Sequence, residues 1–428
     1  MSIQVNIEKL SDETRERINT ELTIEIEKSK YNNFGPKKFL QPYSLIGNTV
    51  ILPFGYAVRE LGCERRKRDE FPAIDIKFEA SLRDEQKIVK KEAIDILKTG
   101  SVIISTFTGF GKTILAINLS TVIKLKTLII VNKIVLIKQW EESITKFCPA
   151  ALVQRVTPQT TKKEAHFYII NAINLPKMNK KFFADIGTLV IDESHLILAE
   201  TLSKSLQCVS PRYLIGLSAT PFRYDGMNCL FDLYFGKDKI IREMNRKHNV
   251  YKVMTGFTPD VKKTSIGKIN WGDILDSQSK NEPRNELIVQ IVKHFKERNF
   301  LILVKRVEQG NFLLKRLTEE GEDATDLIGS KQEFNKDARI LIGTLQKVGT
   351  GFDHDKLDAL LLATDLEAYF IQILGRVFRK KDTEPIVFDL VDNNPILKKH
   401  FQTRKETYEE HGGKMFDFKR SFPEFVSK

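Results

Sequence analysis

The 428-residue chain is 41% hydrophobic and 29% charged, and 68 Lys+Arg against 56 Asp+Glu leave a net charge of +12. This balance excludes a largely disordered chain, and no apolar run reaches the roughly 18–20 residues that span a bilayer. The first 30 residues carry acids throughout and lack a signal-peptide core.

Four scattered cysteines (Cys63, Cys148, Cys208, Cys229) and seven histidines form no zinc-spaced cluster. Free buried thiols in a reducing, intracellular compartment are therefore expected.

Residues 1–75 read as a separate N-terminal module. Residues 10–30 are polar with sparse apolar positions, as in one exposed helix. Residues 33–62 are rich in Gly, Pro and aromatics, with a strand at 49–52. The run Arg65-Arg66-Lys67-Arg68 is followed at once by Asp69 and Glu70, so it reads as a solvated loop rather than a nucleic-acid patch. Residues 1–80 contain 13 Lys+Arg and 13 Asp+Glu, which places the whole basic excess in 81–428. That is compatible with a polyanionic partner.

From residue 81, short apolar runs rich in β-branched residues alternate with helical patterns. Strands are expected at 102–105, 127–131, 167–170, 188–191 and 213–217, with helices at 112–123 and 134–147. The pattern lapses at 225–283. It restarts with strands at 300–304, 324–328, 339–343, 359–363 and 385–390, and helices at 284–298 and 307–320. The expected fold class is α/β: two tandem parallel-sheet domains, 76–240 and 241–428, behind a small N-terminal extension.

The sharpest local signal is Thr106-Phe107-Thr108-Gly109-Phe110-Gly111-Lys112-Thr113, after a strand and opening a helix. Backbone N–H groups of such a loop cradle phosphate oxygens. Lys112 can reach the β/γ-phosphates and Thr113 can place its hydroxyl on Mg²⁺. Thr106 stands where the strict pattern has its first glycine. Eighty residues later the apolar strand 188–191 ends in Asp192 and Glu193. Asp192 can hold Mg²⁺ through water while Glu193 polarises the attacking water.

These residues resemble a known family. Asp192-Glu193-Ser194-His195 is similar to the DExH box of superfamily 2 helicases, and Leu217-Ser218-Ala219-Thr220 to their Ser-Ala-Thr motif. Gln372-Ile373-Leu374-Gly375-Arg376-Val377-Phe378-Arg379 resembles their Q-x-x-G-R-x-x-R motif. Lys347-Val348-Gly349-Thr350-Gly351-Phe352-Asp353 resembles the motif that couples nucleotide to nucleic acid. Leu82-Arg83-Asp84-Glu85-Gln86 is similar to the adenine-reading motif, with Gln86 as reader. Residues 218–226 and 374–379 resemble the xeroderma pigmentosum group B helicases, the phage recombination-repair helicases and the transcript-release helicases of large DNA viruses. The family's Arg-Glu-Asp element falls on Arg223-Tyr224-Asp225, a departure. Tyr408 and Gly412-Gly413-Lys414 before Phe416 point to the viral branch.

The resemblance covers roughly 76–400 and implies two RecA-like domains that use ATP and Mg²⁺. It implies catalytic roles for Lys112, Asp192, Glu193, His195, Gln372, Arg376 and Arg379, with Asp353 on the nucleotide. Arg376 and Arg379 would act as arginine fingers from the second domain, so that ATP favours closure and hydrolysis releases it. It also implies that residues 132–134 with Gln139, Asn171, Thr344 and Thr350 face a nucleic-acid strand, Asn132 foremost. Trp140, on an amphipathic helix, reads as core before base-stacking platform. The basic runs at 177–181 and 398–405 read as solvated faces.

The expected function is an ATP-dependent helicase or translocase in repair, recombination or transcription. DNA is preferred over RNA because the relatives by motif act on DNA. Transcription or repair proteins are expected partners, no membrane is expected, and the chain is expected to be a monomer or weak oligomer. Two rivals are an ATP-gated clamp that separates no duplex and the motor subunit of a restriction system.

Overall fold

The computed structural model describes residues 2–26, 38–197, 207–219, 227–262, 269–349, 352, 354–366, 370–377, 380 and 382–418. The chain divides into two compact units, 1–242 and 243–428.

The first unit begins β1 (Ser2–Asn6), α1 (Asp12–Glu21), β2 (Ile24–Ile26), β3 (Lys38–Leu40), β4 (Ser44–Ile46) and β5 (Thr49–Pro53). It continues through α2 (Asp84–Leu97), β6 (Ser101–Thr106), α3 (Lys112–Ile123), β7 (Thr127–Val131), α4 (Ile134–Phe147), β8 (Val153–Val156) and β9 (Phe167–Asn171). It closes with β10 (Thr188–Ile191), α5 (Ser194–Ile197), β11 (Tyr213–Ser218), α6 (Cys229–Phe235) and β12 (Lys239–Arg242). Seven strands form a parallel sheet in the order β12-β6-β11-β10-β7-β9-β8.

Strands β6, β7, β9 and β10 are buried along their whole length, as expected of a sheet covered on both faces. Alternate side chains feed opposite cores. Val102, Ile104, Ile129 and Val190 join one cluster with α2, α3 and α4. Ile103, Leu128, Ile130 and Leu189 join the other. That second cluster also takes Ile3, Ile18, Leu22, Leu52 and Phe54. The N-terminal segment is thus the cover of one sheet face, tied down further by Ser2 N–H donating to Val209 C=O at 3.1 Å.

Two N-terminal expectations change. The helix expected over 10–30 is only α1, started by Ser11 Oγ accepting from Thr14 N–H. After Leu22 the sequence Thr23-Ile24-Glu25-Ile26 alternates at the strand period, and β2 forms instead. The basic run 65–68 is solvated only in part: Lys67 and Arg68 are exposed, as expected, whereas Arg65 and Arg66 are half-buried. Arg65 donates to Lys98 C=O (2.9 Å), Arg66 to Ala184 C=O (2.8 Å) and Arg68 to Ile123 C=O (2.7 Å). Lys98 caps α2 and Ile123 ends α3, so these guanidiniums satisfy orphan carbonyls at the negative ends of two helices.

The second unit runs β13 (His248–Met254), α7 (Trp271–Lys280), α8 (Glu282–His294), β14 (Phe300–Val304), α9 (Val307–Glu319), β15 (Ala324–Leu327) and β16 (Ile340–Thr344). Then come α10 (Leu345–Val348), β17 (Ala359–Leu362), α11 (Phe370–Val377), β18 (Ile386–Val391), α12 (Pro395–Glu410) and β19 (Gly413–Asp417). Its sheet is again parallel, in the order β15-β16-β14-β17-β18-β13-β19. The lapse expected at 225–283 is filled by α6, β12, β13 and α7.

The run 398–405 is not wholly solvated. Arg404 is buried, its Nε and Nη2 each 2.8 Å from the Asp389 carboxylate and its Nη1 2.8 Å from Asp365 Oδ1. The four cysteines are free, as expected, but Cys148 alone is buried and Cys229 is exposed. Among the described residues no helix is long and apolar enough to cross a membrane.

Candidate nucleotide site and strand-facing edge

The order β12-β6-β11-β10-β7-β9-β8 decides what meets at the carboxyl edge of the first sheet, where parallel sheets place ligands. Strands β6, β11 and β10 are neighbours, and they end in the phosphate loop, Ser218 and the acidic pair. The next two, β7 and β9, end beside Asn132 and in Asn171.

The loop leaves β6 at Thr106 and enters α3 through Gly111, which has φ +89°. A Cβ there would lie 2.5 Å from Gln86 Nε2, so glycine is required twice over. Lys112 Nζ donates to Thr106 C=O at 2.7 Å and lies 3.4 Å from Phe107 C=O. Thr106 is buried and serves through its carbonyl. Phe110 is buried, Thr108 and Thr113 are half-buried, and Gly109 is exposed.

Gln86, 2% exposed, braces this loop. Its Oε1 accepts from Arg83 N–H at 2.9 Å and its Nε2 donates to Phe110 C=O at 2.8 Å. Arg83 also donates to Phe110 C=O, and to Gly109 C=O at 3.2 Å. The bracing role of Arg83 was not legible in the motif that contains it.

Asp192 is buried at the end of β10. Its Oδ1 accepts from Glu193 N–H at 3.0 Å and its Oδ2 from Trp140 Nε1–H at 2.8 Å. Burial, and then the Glu193 carboxylate, push Asp192 up to about 6; Trp140, Lys112 and the Glu193 N–H pull the other way. Glu193 sits at φ +48°, strained for a residue with a Cβ. Its Oε2 is buried, accepts no hydrogen bond among the described residues, and lies 3.5 Å from His195 Nδ1. His195 Nδ1 is 3.0 Å from Ser218 Oγ, which joins the acidic box to the Ser-Ala-Thr motif.

Trp140 is core, as expected, at 1% exposure. Its hydrogen bond to Asp192 carried no signal in the sequence. Asn132 and Gln139 are half-buried, while Ile134 at the head of α4 is 78% exposed. Asn171 is buried and its Oδ1 caps the turn Ala172–Lys177 by accepting from Ile173 N–H.

In the second unit Arg376 is buried on α11 and donates to Phe352 C=O and, at 3.1 Å, to Gly349 C=O. The carboxyl end of β16 carries the half-buried Thr344. Thr350, Asp353, Arg379 and the Gln372 side chain lie outside the described residues.

Residues 79–223 match the family described as "Type III restriction enzyme, res subunit". The chain is 46% identical to "Putative helicase 161L" of Invertebrate iridescent virus 6, over 98% of this chain and 100% of that protein. It is 23% identical to the "DNA 3'-5' translocase XPB2" of Sulfurisphaera tokodaii, over 81% of this chain and 90% of that one. In fold it is similar to Saccharomyces cerevisiae Dbp5 bound to RNA and ADP BeF3, with a TM-score of 0.54 at 15% identity, covering 77% of this chain and 89% of that one. With the phosphate loop, DExH box and Ser-Ala-Thr serine on adjoining strand ends, the chain belongs to the superfamily 2 DExH-box helicases, the nucleic-acid-dependent ATPases that include the iridescent-virus helicases.

Proposed function

We propose that the chain is an ATP- and Mg²⁺-dependent translocase on DNA, serving repair, recombination or transcription. The observation that carries the reading is the carboxyl edge of the first sheet. Lys112, Asp192, Glu193 and the His195–Ser218 pair stand on three neighbouring strand ends, with the strand-facing candidates on the next two. The similarity to a protein named as a DNA translocase supports DNA as the track.

Each side chain has a task its surroundings fit. Lys112, held by loop carbonyls, exchanges them for β/γ-phosphate oxygens. The Thr113 hydroxyl and the Asp192 carboxylate are hard oxygen donors of the kind Mg²⁺ takes, and a buried carboxylate pushed up to about 6 is one that a cation would relieve. Bound there, Mg²⁺ supplies charge neutralisation on the phosphates. Glu193, whose buried Oε2 faces His195 Nδ1 at 3.5 Å and accepts no hydrogen bond among the described residues, orients the attacking water and accepts its proton. His195 and Ser218 fix the orientation of this acid. Gln372, Arg376 and Arg379 are assigned to hydrolysis by their motif, and Asn132, Gln139, Asn171, Thr344 and Thr350 to phosphate and sugar contacts that grip without base readout.

The test is ATPase stimulation and strand separation across single-stranded, duplex and forked DNA, with matched RNA. Stimulation and displacement with DNA above RNA are expected. Equal ATPase rates with and without any nucleic acid would overturn the reading.

A further inference from the structure

The hydrogen bond from Trp140 to Asp192 joins two parts of the first unit that the reading above treats separately. Trp140 belongs to α4, which starts three residues after β7 and presents Ile134 and Val135, 78% and 49% exposed, beside Asn132. Asp192 belongs to the nucleotide site. The strands that precede them, β7 and β10, are paired, with Ile130 opposite Ile191.

The geometry is selective. Asp192 has two carboxylate oxygens, and its own loop fixes only Oδ1, through Glu193 N–H. The other oxygen is fixed from a different element, by an indole N–H at 2.8 Å. Trp140 is 1% exposed and packed in the cluster that contains Val131, Leu136 and Ile144. An indole has two side-chain torsions and a rigid body, so displacement of α4 must carry Nε1 with it or break the bond. A loss of either kind turns the carboxylate. Outer partners of metal-binding carboxylates are worth about 10–100-fold in affinity or activity.

We infer that Trp140 is a positioning residue through which α4 sets the orientation of the Asp192 carboxylate, so that strand contact at the head of α4 is communicated to the nucleotide site. The inference rests on the reading that the head of α4 meets the strand. Coupling of this kind is reciprocal. The nucleotide must therefore change strand affinity through the same bond.

The experiment compares the wild-type chain with Trp140→Phe, which keeps an aromatic ring and loses the donor. Single-stranded DNA affinity is measured by fluorescence anisotropy with and without a non-hydrolysable ATP analogue and Mg²⁺. Affinity for a fluorescent ATP analogue and DNA-stimulated turnover are measured in parallel. The variant is expected to bind DNA alone within about twofold of wild type, whereas the ratio of DNA affinities with and without nucleotide falls to near one. Stimulation of turnover by DNA is expected to drop about 10–100-fold.

If Trp140→Phe does not fold, Trp140→benzothienylalanine, an indole isostere without the N–H, takes its place. A wild-type affinity ratio and wild-type stimulation in a folded variant lacking the donor would overturn the inference. A wild-type DNA affinity unmoved by nucleotide would likewise overturn the inference, whereas DNA affinity unmoved by Asn132→Ala and Ile134→Ala would overturn the underlying reading. The two failures show in different proteins.

Discussion

Gln86 Nε2 donates to Phe110 C=O at 2.8 Å, which makes the residue expected to read adenine also a strut of the phosphate loop. A pure base reader would affect only nucleotides that carry the base. We expect Gln86→Ala to weaken inorganic triphosphate as well as ATP, by about two- to tenfold, since one lost hydrogen bond is worth about 0.5–1.5 kcal/mol. Competition binding with ATP and triphosphate checks this; weakening of ATP alone would assign Gln86 to the base.

Lys112→Ala and Glu193→Gln should fail differently. The first removes the cation proposed to leave Thr106 C=O for phosphate, so nucleotide affinity and turnover should both fall. The second keeps shape and hydrogen-bonding capacity but cannot take a proton. It should bind ATP and lose about 10²–10³ in rate, in keeping with the 3–4 kcal/mol of a group acting in the transition state. Wild-type turnover in Glu193→Gln would remove it from the mechanism.

The burial of Asp192 has a consequence for stability. Its value rises from 3.8 to about 6 on folding. The folded state therefore binds more protons than the unfolded one between these pH values, and stability falls as pH rises through that window. At pH 8 the nucleotide-free protein carries the full cost of a buried anion. Asp192→Asn should thus gain in melting temperature relative to wild type on going from pH 4 to pH 8, although under the proposed role it should hydrolyse ATP poorly. Differential scanning fluorimetry at the two pH values tests the sign.

Grip on phosphates releases counterions, so DNA affinity should fall steeply with salt and vary little among sequences. Filter binding from 50 to 200 mM salt with several unrelated oligonucleotides measures both. A shallow slope with one strongly preferred sequence would contradict a translocase.

In the second unit, Arg404 compensates Asp389, which is wholly buried, and reaches Asp365 before the segment that leads to α11. Arg404→Met leaves the buried Asp389 without its charge partner, with only the Tyr408 hydroxyl, among the described residues, still donating to it at 2.9 Å, a loss of about 3–5 kcal/mol. Urea unfolding of the full chain should show it as an early transition, whereas Lys405→Met, half-buried one residue along, should leave the midpoint within error.

Strands such as β7, β10 and β14 were legible to the residue because Thr127–Val131, Thr188–Ile191 and Phe300–Val304 are continuous buried runs. Strands β12, β13 and β19 were not, since Lys239, Arg242, Lys252 and Lys414 interrupt them with charge although each pairs in the sheet. The site divides along a similar line. Motifs whose residues are neighbours in sequence, such as 106–113 and 192–195, declare their chemistry by spacing. Contacts that join distant residues (Trp140 with Asp192, or Arg65 with Lys98) depend on which strands lie side by side, and nothing in the local pattern encodes that. The contacts of the basic run 65–68 carried little signal because most of its partners are backbone carbonyls, which have no sequence signature.

The strand order also governs when the first unit can form. Strand β6, wholly apolar in its middle, lies between β11 and β12, and Thr106 is matched to Arg242. Its edge toward β11 therefore stays unfilled until residue 218 is made, and its edge toward β12 until the ribosome has added the 136 residues from 106 to 242. At about 5–20 residues per second that takes roughly 7–27 s. Until β11 is made the nascent chain displays a parallel-sheet strand with no partner on either side, and the strand that finally seals its second edge is the last segment of the unit to be synthesised.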